Sequence, residues 1–327
     1  GIAGRNPYNV DSPYDLDGNL KDNAEQIINT DWLDEVIDPG ITREYGLSAS
    51  GGNENTSFYV SGGYYNQDGI VIDSDFERFS GKLNLTNQAT DFLKIGMNNT
   101  LSRTIQNTPM GALQAASPLL FAYQVPGTNP LYQIDENGDY IIVGGEKQYN
   151  YNNPVKLDFN PVGLSELNIM RSTNNRVLSN FFGELTLFKD FKLKSIFAID
   201  YFMMEDITFD NMEHGNGAVV GGRGNFYDHS NLMYTSTNTL TYDKNFMELH
   251  HVNFLLGQEA IKASYRQMNA HGTGYPFGGI FELIAASQPV ETSTYTSEYS
   301  MLSYFSRLNY DFSDKYYISG SFRRDGS

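Results

Sequence analysis

The residues of this chain best suited to chemistry are its five histidines, His214, His229, His250, His251 and His271. A zinc hydrolase would place two histidines one helical turn apart around a glutamate, and no such spacing occurs. His250 and His251 are adjacent in a strand-like stretch, where successive side chains point to opposite faces, so they cannot close on one ion. The imidazoles read as exposed or pore-facing side chains. Gly221-Gly222-Arg223-Gly224 and Gly272-Thr273-Gly274 are too short for a phosphate cradle and lack its strand-to-helix setting. Asp15-Leu16-Asp17-Gly18-Asn19 imitates a calcium loop, yet Pro13 stands where the first ligand is needed and no glutamate closes it, so an Asp-Gly turn is expected. For Asp135-Glu136-Asn137-Gly138-Asp139, an Asn-Gly hairpin turn accounts for the run more economically than a cation site. The absence of cysteine removes disulfide scaffolds, thiolate zinc sites and a cysteine nucleophile together. The expectation is a protein without catalytic residues, metal or cofactor, and not an enzyme.

Binding chemistry is better represented. The stretch 105–171 carries Tyr123, Asn129, Tyr132, Tyr149, Tyr151 and Phe159, a mixture of flat rings and amides. Rings stack on sugar faces or peptide side chains, and amides read hydroxyls or backbone, so these six are the candidate substrate contacts. The competing reading is that they pack this stretch against its neighbours or against a partner.

The elements that must position them are strands. Over 172–204, Val177, Phe181, Gly183, Leu185 and Leu187 alternate with Asn180, Glu184 and Thr186; after a turn at Lys189-Asp190, Phe191, Leu193, Phe197, Ile199 and Tyr201 alternate with Lys192, Lys194, Ala198 and Asp200. This period of two defines a hairpin whose arms are far longer than globular strands usually run. The same pattern recurs in about ten strands, at 44–52, 56–66, 76–87, 91–104, 172–188, 191–206, 226–242, 246–262, 298–311 and from 315 onward. A short helix is expected at 21–28.

The connections strictly interleave short with long: 53–55, then 67–75; 88–90, then 105–171; 189–190, then 207–225; 243–245, then 263–297; finally 312–314. Transmembrane barrels show this order because one side bears turns and the other loops. Aromatic residues crowd the short turns, Phe188 and Phe191, Tyr242 and Phe246, Phe312, Tyr316 and Tyr317, as an interfacial girdle would. The 21 Phe and 23 Tyr against one Trp suit a β-rich chain. No apolar run is long enough to span a bilayer as a helix, the best being 118–125. A net charge of −17 disfavours a nucleic-acid partner. Gly1 follows no signal-peptide pattern, and 322–327 stops inside a strand pattern, so the sequence reads as a segment of something longer.

Several runs in order resemble the SusC/RagA family of TonB-dependent outer-membrane transporters: Thr30-Asp31-Trp32-Leu33-Asp34-Glu35, Tyr45-Gly46-Leu47-Ser48-Ala49-Ser50-Gly51-Gly52, and Tyr59-Val60-Ser61-Gly62-Gly63-Tyr64-Tyr65-Asn66-Gln67-Asp68-Gly69-Ile70. Residues 78–85, Asn129-Pro130-Leu131-Tyr132, Gly257-Gln258-Glu259, 304–310 and Arg323-Arg324-Asp325-Gly326-Ser327 extend the likeness over nearly the whole chain. The resemblance implies an all-β fold, an antiparallel transmembrane β-barrel segment of a plugged barrel of the 22-stranded class. On that scheme 1–43 is a connecting segment and 44–327 part of the barrel, with long extracellular loops at 105–171, 207–225 and 263–297. The plug, its TonB box and the final strands would lie outside this chain. The resemblance further implies residence in the outer membrane of a Gram-negative bacterium, a SusD-like lipoprotein lid, energy through TonB, and a glycan or peptide fragment as substrate. The alternative is a soluble or surface-anchored β-sandwich that binds carbohydrate.

Overall fold

The computed structural model describes residues 6–109, 117–135, 138–153 and 157–327. Ten long strands form one antiparallel meander in which each inner strand pairs with its predecessor and its successor and the first and last are edges. They are β1 (Thr42–Gly52), β2 (Thr56–Asp68), β3 (Asp75–Thr90), β4 (Leu93–Asn107), β7 (Ile169–Leu187), β8 (Phe191–Asp210), β9 (Arg223–Phe246), β10 (His250–Thr273), β11 (Gln288–Phe312) and β12 (Tyr316–Gly326). The two-residue strands β5 (Ile142–Val143) and β6 (Glu146–Lys147) make a separate hairpin between β4 and β7. Among the described residues there are also three short α-helices, α1 (Trp32–Val36), α2 (Pro118–Gln124) and α3 (Pro161–Leu167), and two 3-10 helices, Gly215–Val220 and Leu283–Ala285.

The alternation read from the sequence becomes two chemically opposite faces. Register sets Leu93 opposite Leu185, Leu185 opposite Leu193, Leu193 opposite Leu240 and Leu240 opposite Leu256, a row of leucines crossing five strands. Phe181 lies opposite Phe197 on the same face, and both rings are exposed. The other face is polar. There Arg176 grips Asp200 with two hydrogen bonds of 3.1 and 2.8 Å, Arg323 donates to Glu259 at 2.8 Å, and Asn98 donates to Asn180 at 3.0 Å. An apolar face left uncovered over so many strands suits lipid, with the polar face turned to a pore. No second sheet packs on it among the described residues, which counts against a sandwich.

One polar row interrupts the apolar face and satisfies itself. Ser195 Oγ donates to Asn238 Oδ1 at 2.8 Å, and Asn238 Nδ2 donates to Gln258 Oε1 at 3.0 Å. On the polar face, close strand contact is set by glycine: a Cβ on Gly96 would meet the Phe182 ring at 2.5 Å, and one on Gly257 would meet the Phe305 ring at 2.1 Å. A cation covers each ring in turn, Lys194 over Phe182 and Arg323 over Phe305.

Short connections, 53–55, 91–92, 188–190, 247–249 and 313–315, alternate with 69–74, 108–168, 211–222 and 274–287. Most boundaries fall within three residues of those read in the sequence, the turn expected at 88–90 lying at 91–92, and three connections move further. The turn expected at 243–245 falls at 247–249, because β9 pairs through Asn245 and Phe246 and puts Met247 and Glu248 at φ of 52° and 58°. Phe188 with Lys189, and Ser313 with Asp314, take the same left-handed pair, and none is the glycine or asparagine that marks such turns in a sequence. The loops expected at 207–225 and 263–297 contract to 211–222 and 274–287, since polar residues such as Thr292, Thr294 and Thr296 continue the ladder against β10. Nor is there a helix at 21–28. The backbone there bonds to residues 7–9, with Ile27 N–H to Pro7 and Asn9 N–H to Glu25.

At the long-loop end the N-terminal segment and the 108–168 connection build a small core of their own. Trp32, Phe121, Val125 and Leu131 are buried together, with the Trp32 and Phe121 rings edge to face at 4.9 Å. The helices that bring them in are capped by side chains: Asp31 accepts from Leu33 N–H, Ser117 from Leu120 N–H, and Asn160 from Val162 and Gly163 N–H. Pro118 and Pro161 open α2 and α3, where the missing N–H is harmless.

Candidate functional site

The six candidate residues all belong to this long-loop cap. Asn160, fully buried, organises it: its Nδ2 donates to the Leu131 carbonyl at 2.9 Å and to the Asn150 carbonyl at 3.1 Å, while its Oδ1 caps α3. Asn150 Nδ2 in turn donates to the Pro130 carbonyl at 3.0 Å. These bonds tie three irregular segments that have no ladder to use, as buried backbone requires.

On that frame Tyr132 and Tyr149 stack at 5.1 Å and 26°, and Tyr140 meets Tyr132 edge-on at 5.8 Å. Lys147 Nζ sits 4.1 Å from the Tyr140 ring centre and 5.1 Å from that of Tyr132. Tyr132, Tyr149 and Phe159 also pack against the Trp32 core. Tyr149 donates its hydroxyl to Glu166. Tyr151 lies flat on His214, and His214 Nδ1 is 2.8 Å from Asp158, so the 108–168 and 211–222 connections are clamped together. Burial, followed by neighbouring carboxylates, pushes both the Tyr149 and Tyr151 phenols above their ordinary range. Asn129 is buried at the foot of the stack, whereas Tyr123 stands 77% exposed on α2.

The structure therefore brings Tyr132, Tyr149 and Phe159 together, places Tyr151 one step away against His214, and leaves Tyr123 apart. Beside Tyr132 opens a groove of about 470 Å³, lined by Asp31, Asp34 and Glu35 from the start of the cap and by Tyr132 and Tyr140 from the loop. Burial and the adjacent Asp34 raise the Glu35 carboxyl. Rings, amides and carboxylates around a groove can hold a hydroxylated or peptide-like ligand, and the His214–Asp158 pair is occupied in joining loops. Asp158, Glu166 and Asn160 escaped the sequence reading, and His214, read there as an exposed or pore-facing imidazole, is instead stacked on Tyr151 and paired with Asp158. Asp158 and His214 stand 56 positions apart, a separation that carries no motif.

The other chemistry-bearing runs resolve into local structure. Asp15 Oδ1 accepts from Asp17 and Asn19 N–H, an Asx-type turn. In the 135–139 run, Glu136 and Asn137 lie outside the described residues, and Asp135 accepts from Asp139 N–H at 2.9 Å. His250 bonds Tyr310 on one face of β10, and His251 bonds Asp243 on the other.

No protein-family model matches the chain. TonB-dependent receptor P3 of Formosa agariphila is 27% identical over 307 residues, which cover 91% of this chain and 29% of the relative. TonB-dependent receptor SusC of Bacteroides thetaiotaomicron is 23% identical over 320 residues, covering 91% of this chain and 30% of SusC. Among solved structures, the RagAB peptide importer in its open-open state superposes with a TM-score of 0.73 at 23% identity, over 96% of this chain and 33% of the importer chain. The chain thus spans less than a third of the length of the relatives it matches. Those relatives are receptors and transporters rather than enzymes.

Proposed function

From a chain that is a β-barrel segment of a TonB-dependent receptor of the SusC/RagA kind, we propose a part in importing a nutrient across the outer membrane of a Gram-negative bacterium. The substrate in this reading is a glycan or peptide fragment. The observation that carries it is the asymmetry of the sheet. One face is a leucine and phenylalanine surface, the other bears ion pairs, and every long connection gathers at one end with an aromatic cap. A sheet of that kind separates lipid from an aqueous path and offers the path a recognition surface at its mouth.

In this reading 1–43 leads into the barrel and 44–327 builds part of its wall. TonB supplies energy through a plug encoded outside this chain, and a SusD-like lipoprotein closes over the cap. Tyr123, exposed on α2, suits that lid contact or the substrate. Tyr132 lines the groove with Tyr149 stacked behind it, while Tyr151, Phe159 and Asn129 act in this reading by holding the cap that carries it. The test is to replace Tyr132, Tyr149 and Tyr151 singly by alanine in the full-length protein, confirm folding by heat-modifiability, and measure TonB-dependent uptake and substrate binding. Loss of binding in a folded variant supports the groove; three variants binding as wild type would move recognition elsewhere. Extraction of the full-length protein into buffer without detergent would overturn the membrane reading itself.

A further inference from the structure

Every second residue of β10 shares the apolar side with Leu256, and that series runs on past the leucines to Lys262 and Arg266, both exposed. Arg43, Arg176, Arg223, Lys244 and Arg323 each hold a carboxylate. Among the described residues Lys262 and Arg266 hold none, and Glu298, which faces Ser264 from β11, forms an ion pair with neither. Register surrounds them with hydroxyls instead. Tyr234 and Ser300 lie opposite Lys262, and Ser230 and Thr296 opposite Arg266.

Strand geometry fixes their height. The rings of His250 and Phe312, 5.0 Å apart, mark the aromatic level beside the short turns. From His250 to Lys262 a strand rising about 3.3 Å per residue travels about 40 Å, and a tilt of about 40° leaves about 30 Å along the membrane normal. The apolar band of such a barrel is about 25 Å tall, so Lys262 emerges at head-group level on the long-loop side. Just below it the apolar face is notched. The row Phe197, Ser236, Ala260, Leu302 sets two small residues between a ring and a leucine. Phe197 and Tyr234 stack at 6.1 Å and 19° on one side, Leu302 stands on the other, and Lys262 and Ser300 close the loop-side end of a groove of about 570 Å³.

Two uncancelled cations at head-group level attract an anionic head, and a notch in an apolar wall forfeits dispersion contacts until a chain lies in it. The two features are aligned on β10, so together they match the two ends of one amphiphile. A phosphate suits the head because its several acceptor oxygens can serve two cations and the hydroxyls between them at once. We propose that Lys262, Arg266 and the Ser236–Ala260 notch form a binding site on the outward face of β9–β11 for one lipid with a phosphate head group, drawn from the leaflet on the long-loop side. The site rests on the barrel-wall reading and is independent of the imported cargo.

The experiment uses the full-length receptor, delipidated in detergent. The probes are lipid A, a phosphorylated and acylated disaccharide, and the same lipid stripped of its phosphates, with retention read by native mass spectrometry. Wild type should hold one phosphorylated molecule and bind the stripped form about thirtyfold more weakly, each cation contributing about fivefold. Lys262→Gln should cost about fivefold, and Lys262→Gln with Arg266→Gln about thirtyfold. Ala260→Phe fills the notch with a ring that lipid tolerates and should weaken both forms. Lys194→Gln, the same loss of charge on the polar face, should bind as wild type does. Heat-modifiability reports folding of each. A folded double variant or Ala260→Phe variant that retains phosphorylated lipid as wild type does would overturn the site. So would equal retention of the two probes, or an equal loss in Lys194→Gln. Wild type that holds no lipid and pairs instead with a second copy through this face, a pairing lost in Ala260→Phe, would overturn it too. In each of those results a heat-modifiable barrel leaves the import reading standing.

Discussion

Tyr151 lies on His214 with ring centroids 3.5 Å apart and planes 12° from parallel, while Asp158 holds the far side of the imidazole at 2.8 Å. This contact joins the long connection after β4 to the connection after β8, beside the bonds from Gly215 N–H to Asp158 and from Asn211 to Asn168 Oδ1. Replacing Tyr151 by alanine removes a half-buried ring and uncovers His214, at a cost of about 3 kcal/mol to the cap. The ladder of the sheet is untouched. Limited proteolysis should therefore cut within 117–168 far faster in the variant, while the heat-modifiable barrel band stays as in wild type.

The apolar face sets a sharper contrast. Leu185→Arg or Phe197→Arg puts a guanidinium among leucines and phenylalanines at a cost of about 2–4 kcal/mol near the bilayer midplane. Thr186→Arg, one residue from Leu185, turns to the face that already carries Arg176 and Glu259 and should be milder. Yield of heat-modifiable protein from outer membranes checks this, and equal defects on both faces would refute the assignment.

Asn238 is the middle of the polar row Ser195–Asn238–Gln258 on that apolar face. Asn238→Leu looks favourable for a residue facing lipid, yet it strips both neighbours of their partner. The expected result is a loss of about 1–3 kcal/mol in urea unfolding from detergent, because unsatisfied polar groups cost more there than the added apolar surface returns. The triple replacement of Ser195, Asn238 and Gln258 by apolar residues should restore it.

Asp73 gives the cap a pH dependence. It sits in the 69–74 connection at a φ of 59°, lining a small cavity with Pro118, Pro161, Leu164 and Phe209. Burial first, then the nearby Asp75, push its carboxyl up to about 6, against the opposing pull of Arg171. An unfolded aspartate releases its proton near 3.9. Between those values the folded cap binds the more protons, so its stability falls as pH rises through that window. Protease resistance of the cap should decline from about pH 4 to about pH 6 and level off above it, and Asp73→Asn should flatten the profile.

Much of the sheet was readable because lipid and water impose opposite demands on alternate residues. The rows from Leu185 to Leu187 and from Phe191 to Tyr201 carry that pattern openly, and the meander follows from short turns between them. The boundaries at 223–226, 263–273 and 288–297 were not readable, since strands that rise clear of the bilayer face water on both sides and lose the alternation. Met247-Glu248 was missed for a related reason: its left-handed pair is imposed by the twist of the strands it joins, whereas Asp243 and Asn245 look like turn residues and are not.

The candidate site divides the same way. The sequence by itself determined which side chains could bind a ligand, placing Tyr132, Tyr149, Tyr151 and Phe159 in one long connection, because ring and amide content is a property of composition. Only the tertiary structure decided that Tyr151 is spent on His214, that Tyr132 faces a groove floored by Asp31 and Glu35, and that Phe197, Tyr234 and Lys262 meet at one notch on the apolar face. Those meetings join residues distant in the chain. They depend on the register of paired strands and the folding of the cap, neither of which leaves a trace in local spacing.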